Sequence, residues 1–128
     1  MLTAHNPAAA AAAFSRYSLG IEVPPQARWL FVSGQVGVDP EGRLAEGAKA
    51  QMRRSWQNIF AILAEAGMGA GDLVRINAYL TRTEDVALYR DVRDEMLDGA
   101  APASTLVVVQ ALAQPGWLVE IEAVAAAV

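Results

Sequence analysis

The amino-acid sequence predicts one α+β domain in which two helices pack on one face of a single β-sheet. Residues 44–66 and 81–97 carry apolar side chains at the spacing of amphipathic helices. The segments around them are short, rich in β-branched residues and bounded by proline or glycine, as strands are. No linker or internal repeat divides the 128 residues, so we expect residues 1–128 to form a single domain.

The N-terminal third is predicted to contain an arm and three strands. Residues 1–13 are rich in alanine and lack periodicity, which predicts a loosely ordered arm. Residues 14–23 alternate between polar and apolar side chains and end at two prolines, as a strand does. Residues 24–27 are then predicted to form a hairpin loop to a strand at residues 29–32, and residues 36–38 a short third strand.

Residues 44–66 are predicted to form a long helix with one buried stripe. The stripe recurs at i, i+4, i+7, i+8 and i+11 and consists of Met52, Trp56, Ile59, Phe60 and Leu63. Gly67 follows at the position where a helix commonly ends in the left-handed conformation, which glycine adopts without strain.

A strand and a second helix follow. Residues 73–81 alternate cleanly and direct Arg75, Asn77 and Tyr79 to one face. Residues 81–84, Thr-Arg-Thr-Glu, have the form of a capping box and predict a helix that extends to about Leu97. Its predicted buried stripe consists of Val86, Tyr89, Val92 and Met96.

The chain is predicted to end in two strands, residues 102–110 and 118–125, separated by Gln-Pro-Gly at residues 114–116. In the last strand Glu120 and Glu122 share a face opposite the apolar side chains. Two interpretations stay open. The acids belong to a solvated sheet face, or at least one of them faces a cleft.

Composition excludes several classes of function. The chain has no cysteine and one histidine, so it offers no disulfide framework, no thiolate nucleophile, no Ser-His-Asp triad and no His-rich metal site. A net charge of −4 argues against nucleic-acid binding. The chain contains no run of 18 apolar residues, so no membrane span is predicted. We expect a cytoplasmic protein without a cofactor. The high apolar content, 54%, indicates a subunit interface.

Several blocks of the sequence resemble the YjgF/RidA family, also called the endoribonuclease L-PSP or reactive-intermediate deaminase family. Residues 31–35, Phe-Val-Ser-Gly-Gln, are similar to a family strand that ends in Ser-Gly-Gln. Residues 17–18 are similar to the end of the family's Gly-Pro-Tyr-Ser. Residues 102–103 and 119–123 match the C-terminal signature, which runs from Pro-Ala-Arg-Ser to Val-Glu-Ile-Glu-Ala.

The resemblance implies a chorismate-mutase-like fold that assembles as a homotrimer with small-molecule clefts at the subunit boundaries. It also implies hydrolysis of reactive enamines and imines, such as those released when amino acids are dehydrated, to keto acids and ammonia. Glu120 matches the acid that positions water in the family, and Tyr17, Ser33, Gly34 and Gln35 match residues that line the cleft.

The chain departs from the family at Ser104, where the deaminases have arginine, and Thr105 replaces the serine that follows. An arginine binds a substrate carboxylate through two parallel hydrogen bonds. Its loss removes roughly 1.5–3 kcal/mol of substrate binding free energy. The departure therefore points away from anionic imino acids. Arg90 is either a surface charge paired with Asp94 at i+4 or a relocated cation that restores anion binding from another direction.

Two functions remain open from the sequence. One is a divergent deaminase-type hydrolase with an altered substrate range, in which Glu120 is the general acid and base. The other is a non-catalytic trimer that binds a small metabolite or a partner protein in the same clefts.

Overall fold

The computed structural model describes residues 1–128 and contains two sheets and two α-helices. The elements are β1 (Thr3–His5), β2 (Gly20–Glu22), β3 (Arg28–Val36), α1 (Ala48–Glu65), β4 (Leu73–Leu80), α2 (Val86–Leu97), β5 (Ala103–Val108) and β6 (Val119–Ala127). The larger sheet has the order β3-β6-β4-β5, in which β5 is parallel to β4 and the other neighbours are antiparallel. The predicted α+β class is confirmed, with a second, two-stranded sheet as an addition.

The N-terminal region differs from the prediction. Thr3–His5, inside the predicted loose arm, pairs antiparallel with Gly20–Glu22. The strand predicted over residues 14–23 is limited to those last three residues, and residues 24–27 connect two different sheets instead of forming a hairpin. The two prolines of this segment have no backbone N–H to pair with a neighbouring strand, and Gln26 has a left-handed φ of 70°. The backbone therefore leaves the first sheet before β3 begins.

The short third strand predicted over residues 36–38 does not form, because β3 ends at Val36 and Val38 makes only an isolated bridge with Leu44. β3 pairs with β6 over residues 28–32 and 35–36, with a register shift between Val32 and Gln35. The break in alternation at Ser33 and Gly34 is therefore a β-bulge inside one strand and not a turn between two.

α1 supplies most of the core, as predicted. Met52, Trp56, Ile59 and Leu63 are fully buried, and the partly buried Phe60 stacks on Trp56 with ring centroids 6.0 Å apart. The helix begins at residue 48 and not at residue 44, because residue 44 forms a bridge with residue 38 and the backbone turns at residue 47 with a φ of 87°. The chain leaves the helix through residue 67 with a φ of 71°, as expected for a glycine at this position.

The start and the buried face of α2 differ from the prediction. The capping box does not form. A 3₁₀ turn, Thr83–Asp85, precedes the helix, and the Arg82 guanidinium donates two hydrogen bonds to Asp85, at 2.8 and 3.2 Å. The buried residues are Tyr89, Val92, Arg93 and Leu97, whereas Val86 and Met96 are partly buried. An arginine therefore occupies the buried face of α2.

The helices cover one face of the larger sheet, and the core lies between them and that face. The opposite face, called the open face below, carries the predicted polar residues Arg75, Asn77, Tyr79, Glu120 and Glu122. It also carries Phe31, which is 75% exposed and stacks on Trp29 with centroids 6.4 Å apart. No helix has both the length and the apolar character needed to cross a membrane.

Gly37 allows α1 to pack closely against the chain that follows β3. A Cβ atom at this position would lie 2.5 Å from Cα and 2.6 Å from Cβ of Gln51. The buried Gln51 side chain accepts a hydrogen bond from the Leu118 N–H at 2.9 Å and donates one to the Gly116 carbonyl at 3.1 Å. The two hydrogen bonds of Gln51 hold residues 116–118, which lead into β6, and therefore help to position Glu120.

We expect Gly37→Ala to lower the free energy of unfolding by roughly 1–3 kcal/mol, because the added methyl group must displace the backbone of α1. Gly71→Ala is the control, since a Cβ there meets no atom within 4 Å and should change stability by less than about 0.5 kcal/mol. Urea denaturation measures both variants. Equal stability of the two would contradict the close packing at Gly37.

Candidate functional site

The segment before β2 covers the outer edge of β5 and brings Tyr17 to it. Ser18 forms a parallel bridge with Ala103, and its N–H donates to the Pro102 carbonyl at 3.2 Å. Ser18 is buried. Because Ser104 is the next residue of β5, the bridge makes Tyr17 and Ser104 neighbours.

A cavity of about 180 Å³ lies between this segment, β5 and α2, and we call it the arginine cavity. It is lined by Phe14, Ser15, Tyr17, Arg90, Arg93, Ser104 and Leu106. Three of the residues predicted from the sequence, Tyr17, Arg90 and Ser104, thus lie together. The lining contains two guanidinium groups, three hydroxyl groups and no carboxylate.

The two arginines differ in their partners. Arg93 is 2% exposed, and its Nε donates to Asp94 Oδ1 at 3.0 Å. Its Nη2 lies 3.0 Å from the same oxygen in an ion pair that lacks hydrogen-bond geometry. Arg90 has no hydrogen bond or ion pair within the chain, so the predicted alternative of an Arg90–Asp94 pair is wrong. The reason is that Arg93 occupies Asp94.

The hydroxyl groups of the arginine cavity can donate hydrogen bonds to a ligand. Tyr17 Oη accepts a hydrogen bond from the Phe14 N–H at 3.3 Å, which leaves its own proton free. The Ser104 hydroxyl makes no hydrogen bond within the chain. Because guanidinium groups only donate, the polar lining as a whole suits a ligand rich in acceptors.

Glu120 belongs to a second group of residues, at the bulge of β3. A Cβ atom at Gly34 would overlap the Glu120 carboxylate, with Cδ at 2.8 Å, so glycine makes room for this side chain. Gln35 lies in the same bulge and donates from Nε2 to the Ser33 carbonyl at 3.1 Å. The carboxylate of Glu120 has no hydrogen-bond or ion-pair partner within the chain.

The two groups lie on opposite faces of the sheet. Ser104 pairs with Ile76, whose side chain is buried under the helices, whereas Glu120 pairs with Tyr79 on the open face. Two strand spacings and three residues of strand separate the Cα atoms of Ser104 and Glu120, about 14 Å in all. One protomer therefore does not bring the predicted acid to the arginine cavity.

The remaining acid of β6 is engaged in the open face. Glu122 accepts hydrogen bonds from Asn77 Nδ2 at 3.1 Å and from the Tyr79 hydroxyl at 3.0 Å. The hydrogen bond to Glu122 raises the pKa of Tyr79, and burial and the charges of Glu122 and Glu120 act in the same direction. Thr105 is also on this face and accepts a hydrogen bond from Arg75 at 3.3 Å, apart from Ser104 and its cavity.

Sequence reasoning missed Arg93, Phe14, Ser15 and Leu106 as lining residues. Arg93 follows Arg90 by three positions and so shares its side of the helix, which is a signal that the sequence does contain. The other three depend on how the N-terminal segment crosses the edge of β5, and no local pattern specifies that path.

Comparisons with known proteins agree with this fold. The sequence model of the family described as Endoribonuclease L-PSP matches residues 7–127. A RutC family protein of Pyrococcus abyssi is 38% identical over 111 residues, 85% of this chain and 84% of that protein. The 2-iminobutanoate/2-iminopropanoate deaminase of Mus musculus is 32% identical over 118 residues, 91% and 84% of the two chains. The crystal structure of YyfB from Yersinia pestis, a Rid family protein of unknown function, superposes with a TM-score of 0.85, 28% identity and 97% coverage of both chains.

The network around Glu122 predicts a pH dependence of stability. The pKa of Tyr79 lies above its ordinary value of 10.0 in the folded chain, so its stabilising effect is complete below pH 10 and is lost as the pH rises through the folded value. We expect Tyr79→Phe to cost about 1 kcal/mol at pH 8 and progressively less above pH 10.

Asn77→Ala is the matched control for this experiment, because it removes the other donor to Glu122 and an amide does not titrate. Its deficit relative to wild type should stay constant while that of Tyr79→Phe shrinks. Urea denaturation across this pH range measures both, and a constant deficit for Tyr79→Phe would contradict the assigned pKa shift.

Proposed function

The chain belongs to the YjgF/RidA family, also described as endoribonuclease L-PSP, and we propose that it is a homotrimeric hydrolase of the enamine and imine deaminase type. One observation carries the proposal: the residues expected in the site fall into two incomplete groups on one chain. The arginine cavity has donors but no acid, and the bulge of β3 has an unpaired acid but no cation. A cleft between two subunits would join the arginine cavity of one copy to Glu120 of the next.

The open face supports assembly as a trimer. Phe31 and Trp29 present a stacked pair of aromatic rings to solvent, 75% and 52% exposed, at the edge of a face that no helix covers. Val107 adds a side chain that is 41% exposed. Burial of such a patch contributes about 25 cal/mol for each Å² of apolar surface, which favours a partner sheet over water.

We expect sedimentation equilibrium at micromolar concentration to give three times the mass of the 13.6 kDa chain. Phe31→Asp should dissociate the assembly while the circular dichroism spectrum stays that of a folded chain, because this side chain lies outside the core. A monomeric wild-type protein would contradict the proposed architecture.

Glu120 is the proposed proton carrier. Water adds to the carbon of the C=N bond, and the Glu120 carboxylate takes one of its protons. The acid returns that proton to the nitrogen, which gives a neutral carbinolamine. Transfer of the remaining hydroxyl proton to the nitrogen, again through Glu120, then breaks the C–N bond, so that C=O forms and ammonia leaves. Glu122 is less suited to this step because Asn77 and Tyr79 already donate to it. Gly34 keeps the position beside the Glu120 carboxylate free of a side chain.

We expect Glu120→Gln to lower turnover by a factor on the order of 10²–10⁴ while ligand binding is retained, because the amide keeps the shape but cannot carry the proton. The measurement is ammonia release from enzymatically generated imines, both neutral and anionic. Glu122→Gln, a neighbouring change of the same size, is the control and should retain most of the activity.

Three other outcomes would change the assignment. A substitution at Glu120 that alters affinity by roughly 1 kcal/mol, in a protein that hydrolyses no imine, would favour the binding trimer. Loss of the trimer in Glu120→Gln would make this residue an assembly contact. Equal losses of turnover in both variants would contradict a special role for Glu120.

A further inference from the structure

We propose that Asn58 of α1 is a positioning residue for Glu120 and that it acts through the backbone of β3. The inference rests on the proposed function in one respect, since it concerns the placement of the proposed proton carrier. The Glu120 carboxylate has no hydrogen-bond or ion-pair partner within the chain, so its own contacts do not fix where it lies. Its position therefore depends on the backbone beside it, and Asn58 holds that backbone.

Both ends of the Asn58 amide are hydrogen-bonded. Its Nδ2 donates to the Val38 carbonyl at 2.9 Å and to the Val36 carbonyl at 3.3 Å. The Val38 N–H in turn donates to the Val36 carbonyl at 2.8 Å, so the bond to Val38 also restrains Val36. Oδ1 accepts a hydrogen bond from Arg54 Nε at 3.1 Å. Because a guanidinium group only donates, this contact turns the oxygen toward Arg54 and the NH₂ group toward β3.

The backbone that Asn58 holds is the backbone next to Glu120. Val36 is the last residue of β3 and the cross-strand partner of Glu120. The register shift before it leaves residues 33 and 34 without a partner in β6. A Cβ atom at Gly34 would lie 2.8 Å from the carboxyl carbon of Glu120, so this unpaired stretch borders the acid directly. The stretch is held at one end by the ladder to β6 and at the other by Val36 and Asn58.

The needs of the helix do not explain an asparagine at this position. Asparagine forms helices less well than alanine, leucine or methionine, because its amide competes for backbone groups outside the helix. Gln51 precedes Asn58 by seven residues, which places it on the same side of α1. Its two hydrogen bonds hold residues 116–118, which lead into the strand of Glu120. Two amides of one helix thus fix the strand that carries Glu120 and the strand beside it.

The ammonia-release assay for Glu120 also tests Asn58. We expect Asn58→Ala to lower kcat roughly 10- to 100-fold, because a misplacement of about 1 Å at a reacting group costs up to that factor. KM should change by less than about threefold, since Asn58 does not line the arginine cavity. Asn58→Asp keeps the shape and an acceptor for Arg54 but has no N–H for the two carbonyl groups, so it should lose at least as much kcat.

A double-mutant cycle distinguishes positioning from a general loss of stability. If Asn58 acts through Glu120, the addition of Asn58→Ala to Glu120→Gln should lower kcat by less than about twofold further. Ser55→Ala is the matched control. Ser55 is fully buried on the same helix and donates to the Gln51 carbonyl at 3.0 Å, so its substitution removes a buried hydrogen bond that does not involve β3. Its kcat should equal that of wild type.

Nuclear magnetic resonance reports on Glu120 without any turnover. The ¹³C resonance of the Glu120 carboxyl carbon is assigned by its loss in Glu120→Gln. It should move by more than its line width in Asn58→Ala and stay in place in Ser55→Ala. Asn58 lies on the helix side of the sheet and Glu120 on the open face, so such a movement has to pass through the backbone of β3. Circular dichroism shows that each variant is folded, and Asn58→Asp serves in both measurements if Asn58→Ala is not.

Three results overturn the inference: wild-type turnover in the Asn58 variants, a loss that adds in full to that of Glu120→Gln, or a Glu120 resonance that does not move. An equal loss of kcat in Ser55→Ala also overturns it. Failure of the proposed function is a different result. A wild-type protein that hydrolyses no imine, but whose Glu120 resonance responds to Asn58→Ala, loses the enzymatic role and keeps the positioning contact.

Discussion

The structure depends on one geometric constraint: two helices, of 18 and 12 residues, cover a single face of a four-stranded sheet. The apolar side chains of β4 and β6 that point toward the helices form the core, and those that point away have no cover within the chain. The open face contacts water in the free chain and would contact another subunit in an assembly, so its side chains must suit both environments. It combines a polar network around Glu122 with the exposed ring of Phe31. Every feature of the proposed site follows from this division of the sheet.

The same division separates the two groups of functional residues. Successive residues of β5 alternate between the faces, so Ser104 lies under the helices while Thr105 lies in the open face. The N-terminal segment covers the outer edge of β5 on the helix side of the sheet. Ser18 holds this segment by backbone pairing with β5, and Asn6 holds it by accepting a hydrogen bond from the Leu19 N–H at 2.8 Å. The small β1–β2 sheet thus has a functional consequence, since it anchors the segment that closes the arginine cavity.

The elements with strong periodicity could be predicted from sequence, and the elements set by long-range contacts could not. The stripe of α1 and the two faces of β6 appear in the structure as expected, because burial alone determines them. The pairing of β1 with β2 joins residues 15–19 positions apart without a local signal, and in the sequence the bulge at Gly34 resembles the end of a strand. The buried face of α2 differs from the predicted stripe because it includes Arg93, and arginine is a residue type that is rarely buried. The grouping of Tyr17, Arg90 and Ser104 was visible only as a family resemblance, and Arg93 joined it through tertiary structure.

Burial of Arg93 is the observation that most needs a functional explanation. Removal of a guanidinium group from water costs several kcal/mol, and pairing with one neighbouring carboxylate often fails to repay that cost compared with an apolar side chain of similar volume. Asp94 offers one oxygen, at 3.0 Å, and leaves a buried Nη2 without a hydrogen bond. A sequence selected only for a stable core would therefore favour a leucine or methionine at this position of the helix. At this position the chain instead carries Arg93, next to Arg90, which has no partner within the chain, and to the free hydroxyl groups of Tyr17 and Ser104. The electrostatic field of a cation depends on distance and not on the helix or strand that carries it. An arginine of α2 can therefore make the cavity positive although the adjacent strand contributes only serine.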